Sequence, residues 1–204
     1  MNELNTTADP VETGQNLFYR IGVRKSYRKA FPLLMEAAHS GNAHCMNLVG
    51  YSYNMGLGVP KDLAAAVHWY GQAGERNHQI ALCNLAMMYD QGQGVQADAA
   101  KAFSFYERSA NLGDLWAACN FGLMLVDGRG TEQDLTVGIW WLRWAARKGE
   151  AKAQYNLGRA YSNGEGVPKN RRSALAWLSK SAGQGNKMAT ELLADLVKPT
   201  GSQL

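Results

Sequence analysis

Residues 151–161 read Ala-Lys-Ala-Gln-Tyr-Asn-Leu-Gly-Arg-Ala-Tyr, and a glycine-rich link, Gly164-Glu-Gly-Val-Pro168, follows shortly after. Beyond it, residues 170–182 read Asn-Arg-Arg-Ser-Ala-Leu-Ala-Trp-Leu-Ser-Lys-Ser-Ala. The first segment puts Ala153, Leu157, Gly158 and Tyr161 on one face at helical spacing, and the second does the same for Ala174, Trp177, Leu178, Ser181 and Ala182. Glycine in the link permits the left-handed turn that ends a helix, and Pro168 helps start the next. Gly158 carries no Cβ, so two helix backbones can approach there and a facing aromatic can fit. The stretch predicts a helical hairpin.

The hairpin recurs. Gly56, Gly92, Gly128 and Gly164 are 36 residues apart, as are Gly58, Gly94, Gly130 and Gly166. Val49, Leu85, Phe121 and Leu157 keep the same register, followed by Gly50, Ala86, Gly122 and Gly158. Asp62, Asp98, Asp134 and Asn170 form a polar column. Trp69, Phe105, Trp141 and Trp177 form an aromatic one, and Ala73, Ser109, Ala145 and Ser181 a small-residue one. Self-similarity at such a period marks stacked supersecondary units, because one small helix pair cannot bury its own apolar faces. The predicted organisation is a flexible N-terminus over 1–5 and a single solenoid over 6–197. The solenoid comprises a degenerate repeat (6–41), repeats at 42–77, 78–113, 114–149 and 150–185, and a capping helix at 186–197. Residues 198–204 form a tail. In the degenerate repeat Gly14, Gly22-Val23, Ala30 and Gly41 keep the register.

The segments Ala153-Gln-Tyr-Asn-Leu-Gly158, Tyr161-Ser-Asn-Gly-Glu-Gly-Val167 and Ala174-Leu-Ala-Trp177, each echoed upstream, resemble the Sel1-like repeat family, relatives of the tetratricopeptide repeats. The resemblance covers about residues 6–197. It implies an all-α, α/α solenoid winding as a right-handed superhelix, and a bacterial, cytoplasmic protein acting as an interaction scaffold or adaptor. It implies no activity.

Composition narrows the classes. A chain of 204 residues, 46% hydrophobic and 19% charged, has ample material for a core, and a net charge of +4 neither demands nor excludes an acidic partner. Met1 to Pro10 holds no apolar run of the secretory kind. No window approaches the ~18 apolar residues of a membrane span. Three cysteines cannot close a disulfide framework, and they point to a reducing compartment.

Apparent catalytic motifs dissolve on inspection. Gly92-Gln-Gly-Val-Gln-Ala97 fits a loose dinucleotide pattern, but phosphate binding needs a strand before it, and here the loop recurs between helices. Ser26-Tyr-Arg-Lys29 matches the S-x-x-K of penicillin-recognising enzymes, yet the partner motifs are missing. Lys198-Pro-Thr-Gly201 comes nearest and is interrupted by proline. Cys83 and Cys119 share a column, with equivalent points on packed helices ~8–10 Å apart, beyond disulfide reach. These thiols are expected to be reduced and structural or groove-facing. His39, His44, His68 and His78 show no metal-ligand spacing. The basic residues Arg20, Arg24, Lys25, Arg28, Lys29, Arg171 and Arg172 lack the aromatic track that nucleic-acid readout needs. No enzyme activity, cofactor, metal, nucleic acid or membrane is expected.

A protein partner is expected instead. By resemblance to the tetratricopeptide fold, the first helix of each repeat lines the concave surface. Flanking Leu157 and its equivalents there are Asn47 and Tyr51, then Asn84 and Met87, then Trp116, Asn120 and Leu123, and finally Tyr155, Asn156 and Arg159. Asn84, Asn120 and Asn156 form a ladder able to pair with a bound main chain or with their own neighbours. Trp116, Trp140 and Trp144 lie outside the aromatic column, in a repeat whose relatives place mostly polar groups there, and tryptophan is enriched at binding hot spots. The expected role is an adaptor recognising a peptide or helix. The alternative is an immunity or inhibitor protein clamping a secreted antibacterial toxin or another folded enzyme, and a β-lactamase-like enzyme ranks last.

Overall fold

A computed structural model describes residues 9–19 and 26–198, and these residues form eleven α-helices and no strand. The chain divides into two compact units, Met1–Leu112 and Gly113–Leu204. The first holds α1 (Pro10–Tyr19), α2 (Tyr27–His39), α3 (Ala43–Met55), α4 (Leu63–Glu75), α5 (Gln79–Gln91) and α6 (Ala99–Asn111). The second holds α7 (Leu115–Asp127), α8 (Leu135–Arg147), α9 (Ala151–Asn163), α10 (Arg171–Gly183) and α11 (Lys187–Val197). Within each unit every helix packs on its neighbours in sequence, and in the second α7 also touches α9. The architecture is an all-α helical repeat.

Polar side chains in register start the helices. Asn42, His78, Asp114, Glu150 and Asn186 cap α3, α5, α7, α9 and α11, each accepting the backbone N–H three residues ahead. Asp62, Asp98, Asp134 and Asn170 do the same for α4, α6, α8 and α10. Such a cap contributes ~1 kcal/mol. Asn170, therefore, and not Pro168, initiates α10. Ser26 stands in this column ahead of α2 without a side-chain cap bond, which accounts for half of the S-x-x-K match; Lys29 is simply exposed on the first turn.

The glycine link behaves as the sequence predicts. Gly92 ends α5 in the left-handed region (φ +66°), and Gly94 repeats that conformation two residues later (φ +70°). The chain then turns back so that Asp98 N–H donates to Tyr89 O at 2.9 Å, a bond matched by Asp62 to Tyr53, Asp134 to Leu125 and Asn170 to Tyr161. Gly94 also seats the link on the start of the preceding repeat's second helix: a Cβ there would lie 2.4 Å from the carbonyl carbon and oxygen of Leu63. In the degenerate repeat Ser26 N–H donates to Leu17 O at 3.1 Å, so the register survives, although Gly22 and Val23 lie outside the described residues.

The aromatic column is not the deepest part of the core. Trp69, Trp141 and Trp177 are only half-buried, and the fully enclosed column is the next one, Tyr70, Tyr106, Leu142 and Leu178. The Gly158 backbone accordingly meets Leu178, not an aromatic ring, and Gly50 meets Tyr70. Between α7 and α8 glycine stands on both sides: a Cβ on Gly122 would come within 2.9 Å of Gly138 O, and one on Gly138 within 2.8 Å of Gly122 O. Two serines of the small-residue column lock repeats internally, Ser109 Oγ donating to Gln79 O (2.8 Å) and Ser181 Oγ to Ala151 O (2.6 Å).

Candidate partner-binding surfaces

In the first unit α1, α2, α3 and α5 enclose an open cleft of about 430 Å³ lined by Phe18, Tyr19, Tyr27, His44, Asn47, Leu48, Tyr51, Ile80 and Asn84. Its size lies within the range of ligand clefts. Its aromatic wall is ordered by edge contacts, Phe18 meeting Tyr27 at 5.1 Å and Tyr51 at 6.2 Å between ring centroids. Tyr51 and Ile80 are exposed, Leu48 belongs to the core, and Asn84 Nδ2 donates to Asn47 Oδ1 at 3.4 Å. The sequence-predicted Asn47, Tyr51 and Asn84 thus meet in one cleft. Met87 lies outside its lining, half-buried on α5.

A chain of hydrogen bonds runs along this cleft, and the cap on α5 fixes its direction. His78 Nδ1 accepts Ala81 N–H at 3.2 Å, so the neutral ring carries its hydrogen on Nε2. That nitrogen faces His44 Nδ1 at 3.3 Å, which places the His44 hydrogen on Nε2, 3.4 Å from the Tyr19 hydroxyl. The hydroxyl accepts, and its own hydrogen is left to point at whatever enters. Burial lowers the pKa of both histidines, and His44 lowers that of His78 further. The neutral relay is the form the fold selects.

In the second unit α7 and α9 present a shelf. Trp116 (38% exposed) and half-buried Leu123 lie on α7; Lys152, Tyr155 and Arg159 lie on α9. Lys152 Nζ sits 5.5 Å from the Trp116 ring centroid and 2.9 Å from Asn120 Oδ1. The asparagine ladder is largely engaged with its own helices. Asn120 Nδ2 donates to Trp116 O and Asn156 Nδ2 to Lys152 O, both at 2.8 Å, and both residues are buried, as is Asn47. They floor the faces more than they stand out from them.

Trp140 and Trp144 belong to α8. They flank Trp141, with centroids 4.9 and 5.7 Å from its ring, and Trp141 meets Phe121 at 5.4 Å. Trp140 is 53% exposed and Trp144 half-buried. The contacts of Trp116 with α9 and of this trio within α8 define separate features.

Cys45, Cys83 and Cys119 form no disulfide and are buried, so none faces a groove. Burial raises the Cys45 and Cys119 thiols, Cys119 further through Glu150. Among the described residues no group of three or more His, Cys, Asp or Glu gathers in a way that could hold a metal, and no helix is long and apolar enough to cross a membrane. Arg28, Lys29, Arg171 and Arg172 are exposed, whereas Arg20, Arg24 and Lys25 lie outside the described residues, as do Thr200 and Gly201. Reading the sequence missed Phe18, Tyr19 and Tyr27 as cleft walls, and His78 as a cap. The signal for His78 was its place in the Asn42/Asp114/Glu150 column.

Comparison with known proteins agrees with this architecture. A profile of the Sel1 repeat matches residues 12–42, 43–78, 79–114, 117–150 and 151–186. A Sel1 repeat protein from Oxalobacter formigenes shares the fold with a TM-score of 0.86 at 29% identity, over 97% of this chain and 86% of that one. The protein c5321, a protective antigen present in uropathogenic Escherichia coli strains, gives 0.84 at 28% identity, over 92% of this chain and 40% of that one. The immunity protein PA5088 from Pseudomonas aeruginosa is alike in fold, with a TM-score of 0.60 at 20% identity over 98% of this chain and 74% of that one. No curated protein sequence matches the chain. With repeat profiles matching most of its length, the chain belongs to the Sel1 repeat family.

Proposed function

We propose that the protein is a non-catalytic scaffold that binds a protein segment on the first-helix faces of its repeats. The Sel1 repeat fold is typical of interaction scaffolds. The observation that carries the reading is the first unit's cleft, where exposed Tyr51 and Ile80 stand beside a Tyr19 hydroxyl able to donate to a backbone carbonyl. An aromatic wall with a few oriented polar groups suits an extended segment or a helix, and a preformed cleft limits the ordering cost of binding. Three cysteines outside any disulfide fit a reducing cytoplasm.

A second reading rests on Trp140, whose indole stands out from α8 at the exposed edge of an aromatic trio centred on Trp141. A folded enzyme or toxin clamped by an inhibitor needs a broad interface anchored by such groups. Pull-down from the native organism with the purified chain separates the two. A partner lost with Tyr51→Ala/Ile80→Ala supports the scaffold reading. A partner lost only with Trp140→Ala/Trp144→Ala supports the clamp, and one retained by both variants overturns both placements.

A further inference from the structure

The columns that border the first-helix face change character along the chain. One column runs His44, Ile80, Trp116, Lys152, and the next Tyr51, Met87, Leu123, Arg159. Both become strongly basic only in the last full repeat. The charge of the whole chain follows the same division: residues 1–112 hold 9 basic and 9 acidic residues, residues 113–204 hold 12 and 8, so all of the net +4 belongs to the second unit.

We propose that the α7/α9 shelf binds an acidic protein segment that also carries an apolar side chain. Its carboxylates would sit on Lys152 and Arg159 and its apolar group on Trp116 and Leu123. The proposal rests on the reading that first-helix faces are where partners bind, and adds the class of partner. α7 and α9 touch, so the apolar rail and the cationic rail run side by side. Lys152 is held in place: Asn120 Oδ1 takes one of its three N–H donors, and its ammonium sits over the Trp116 ring. Arg159 is held but unsatisfied, with Nη2 a loose 3.8 Å from Glu165 and a buried Nε that has no hydrogen-bond partner. A guanidinium in that condition favours a carboxylate. Glu150, ahead of α9, accepts Ala153 N–H as the helix cap. Lys152 and Arg159 are two turns apart on one helix, about 10 Å along its axis. Acidic groups three residues apart in a polyproline II segment, or two turns apart on a helix, match that spacing.

The test is selection of a random 12-residue peptide library on the full chain, followed by fluorescence anisotropy with the enriched peptides. Enriched sequences should pair two acidic residues with an aromatic or large aliphatic one. Lys152→Glu/Arg159→Glu should weaken their binding at least about tenfold, and added salt should weaken the wild-type complex. Both side chains are solvent-accessible, so far-ultraviolet circular dichroism should not change. Lys152→Met keeps an unbranched side chain of similar length and removes the charge; it should lose affinity as well. Enriched peptides without acids, or affinities indifferent to Lys152→Glu/Arg159→Glu, would overturn the acidic assignment. If those peptides are instead lost with Tyr51→Ala, the scaffold reading stands and this one falls. No enrichment at all would sink short-segment binding on both units.

Discussion

The two glycines of one link, Gly92 and Gly94, offer a controlled test of what positions one repeat on the next. Both are left-handed, at φ +66° and +70°. Alanine at either pays the left-handed penalty of roughly 1–2 kcal/mol, partly offset by about 0.4–1 kcal/mol from the stiffer unfolded chain. At Gly92 a Cβ would meet the Ala97 Cβ at 3.3 Å, a tight contact that a shift of a few tenths of an ångström relieves. Gly92→Ala should therefore cost about 1 kcal/mol or less. At Gly94 the Cβ would meet the Leu63 carbonyl carbon and oxygen at 2.4 Å, and backbone at the start of α4 cannot swing aside as a side chain does. Overpacking of that kind adds roughly 1–3 kcal/mol, so Gly94→Ala should exceed Gly92→Ala by about 2 kcal/mol. The assay is urea unfolding followed by circular dichroism, and for a chain of this length the gap corresponds to about 4–8 °C in Tm. Equal shifts for the two variants would show that the link does not bear on α4, and the account of repeat docking given above would be wrong.

Two further outcomes follow from the buried groups. The pKa of both His44 and His78 is lowered in the fold, so the unfolded chain binds more protons; stability is full above the unfolded value of about 6.5 and falls as pH drops below it. Urea midpoints should decrease between pH 7.5 and 5.5, and His78→Asn, which substitutes a cap that does not titrate, should flatten that slope; an unchanged slope would refute the assignment. Cys45, Cys83 and Cys119 are buried, so a thiol reagent such as Ellman's should label the native protein slowly and all 3 thiols promptly in denaturant; fast native labelling of any one would contradict the packing.

The hairpin pattern and its turns were legible because glycine spacing and apolar period are local properties of the chain. The core column was less so. Trp141 and Leu142 are one residue and about 100° apart on the helix, and either satisfies an apolar stripe. Contact with the glycine face of α7 selects Leu142, and no single helix records that contact. The asparagine ladder shows a similar limit. Asn120 and Asn156 could have turned toward a ligand or toward their own carbonyls four residues back, and a rotamer decides which. Phe18, Tyr19 and Tyr27 escaped notice because the first repeat keeps its glycine and alanine register while its aromatics follow no column. His78 escaped because its residue type suggests titration or metal binding, although its place in the period marks a helix start.

Gly122 and Gly138 leave α7 and α8 resting on each other's main chain. In a joint made by side chains, a substitution anywhere near the contact alters the spacing between helices and must be answered by its neighbours. Here the spacing is written in the backbone itself. The outward residues of the same helix, Trp140 and Trp144 among them, can therefore be exchanged for other chemistry while the hinge beneath them keeps its dimensions. The third full repeat holds its frame constant and leaves its face open to selection.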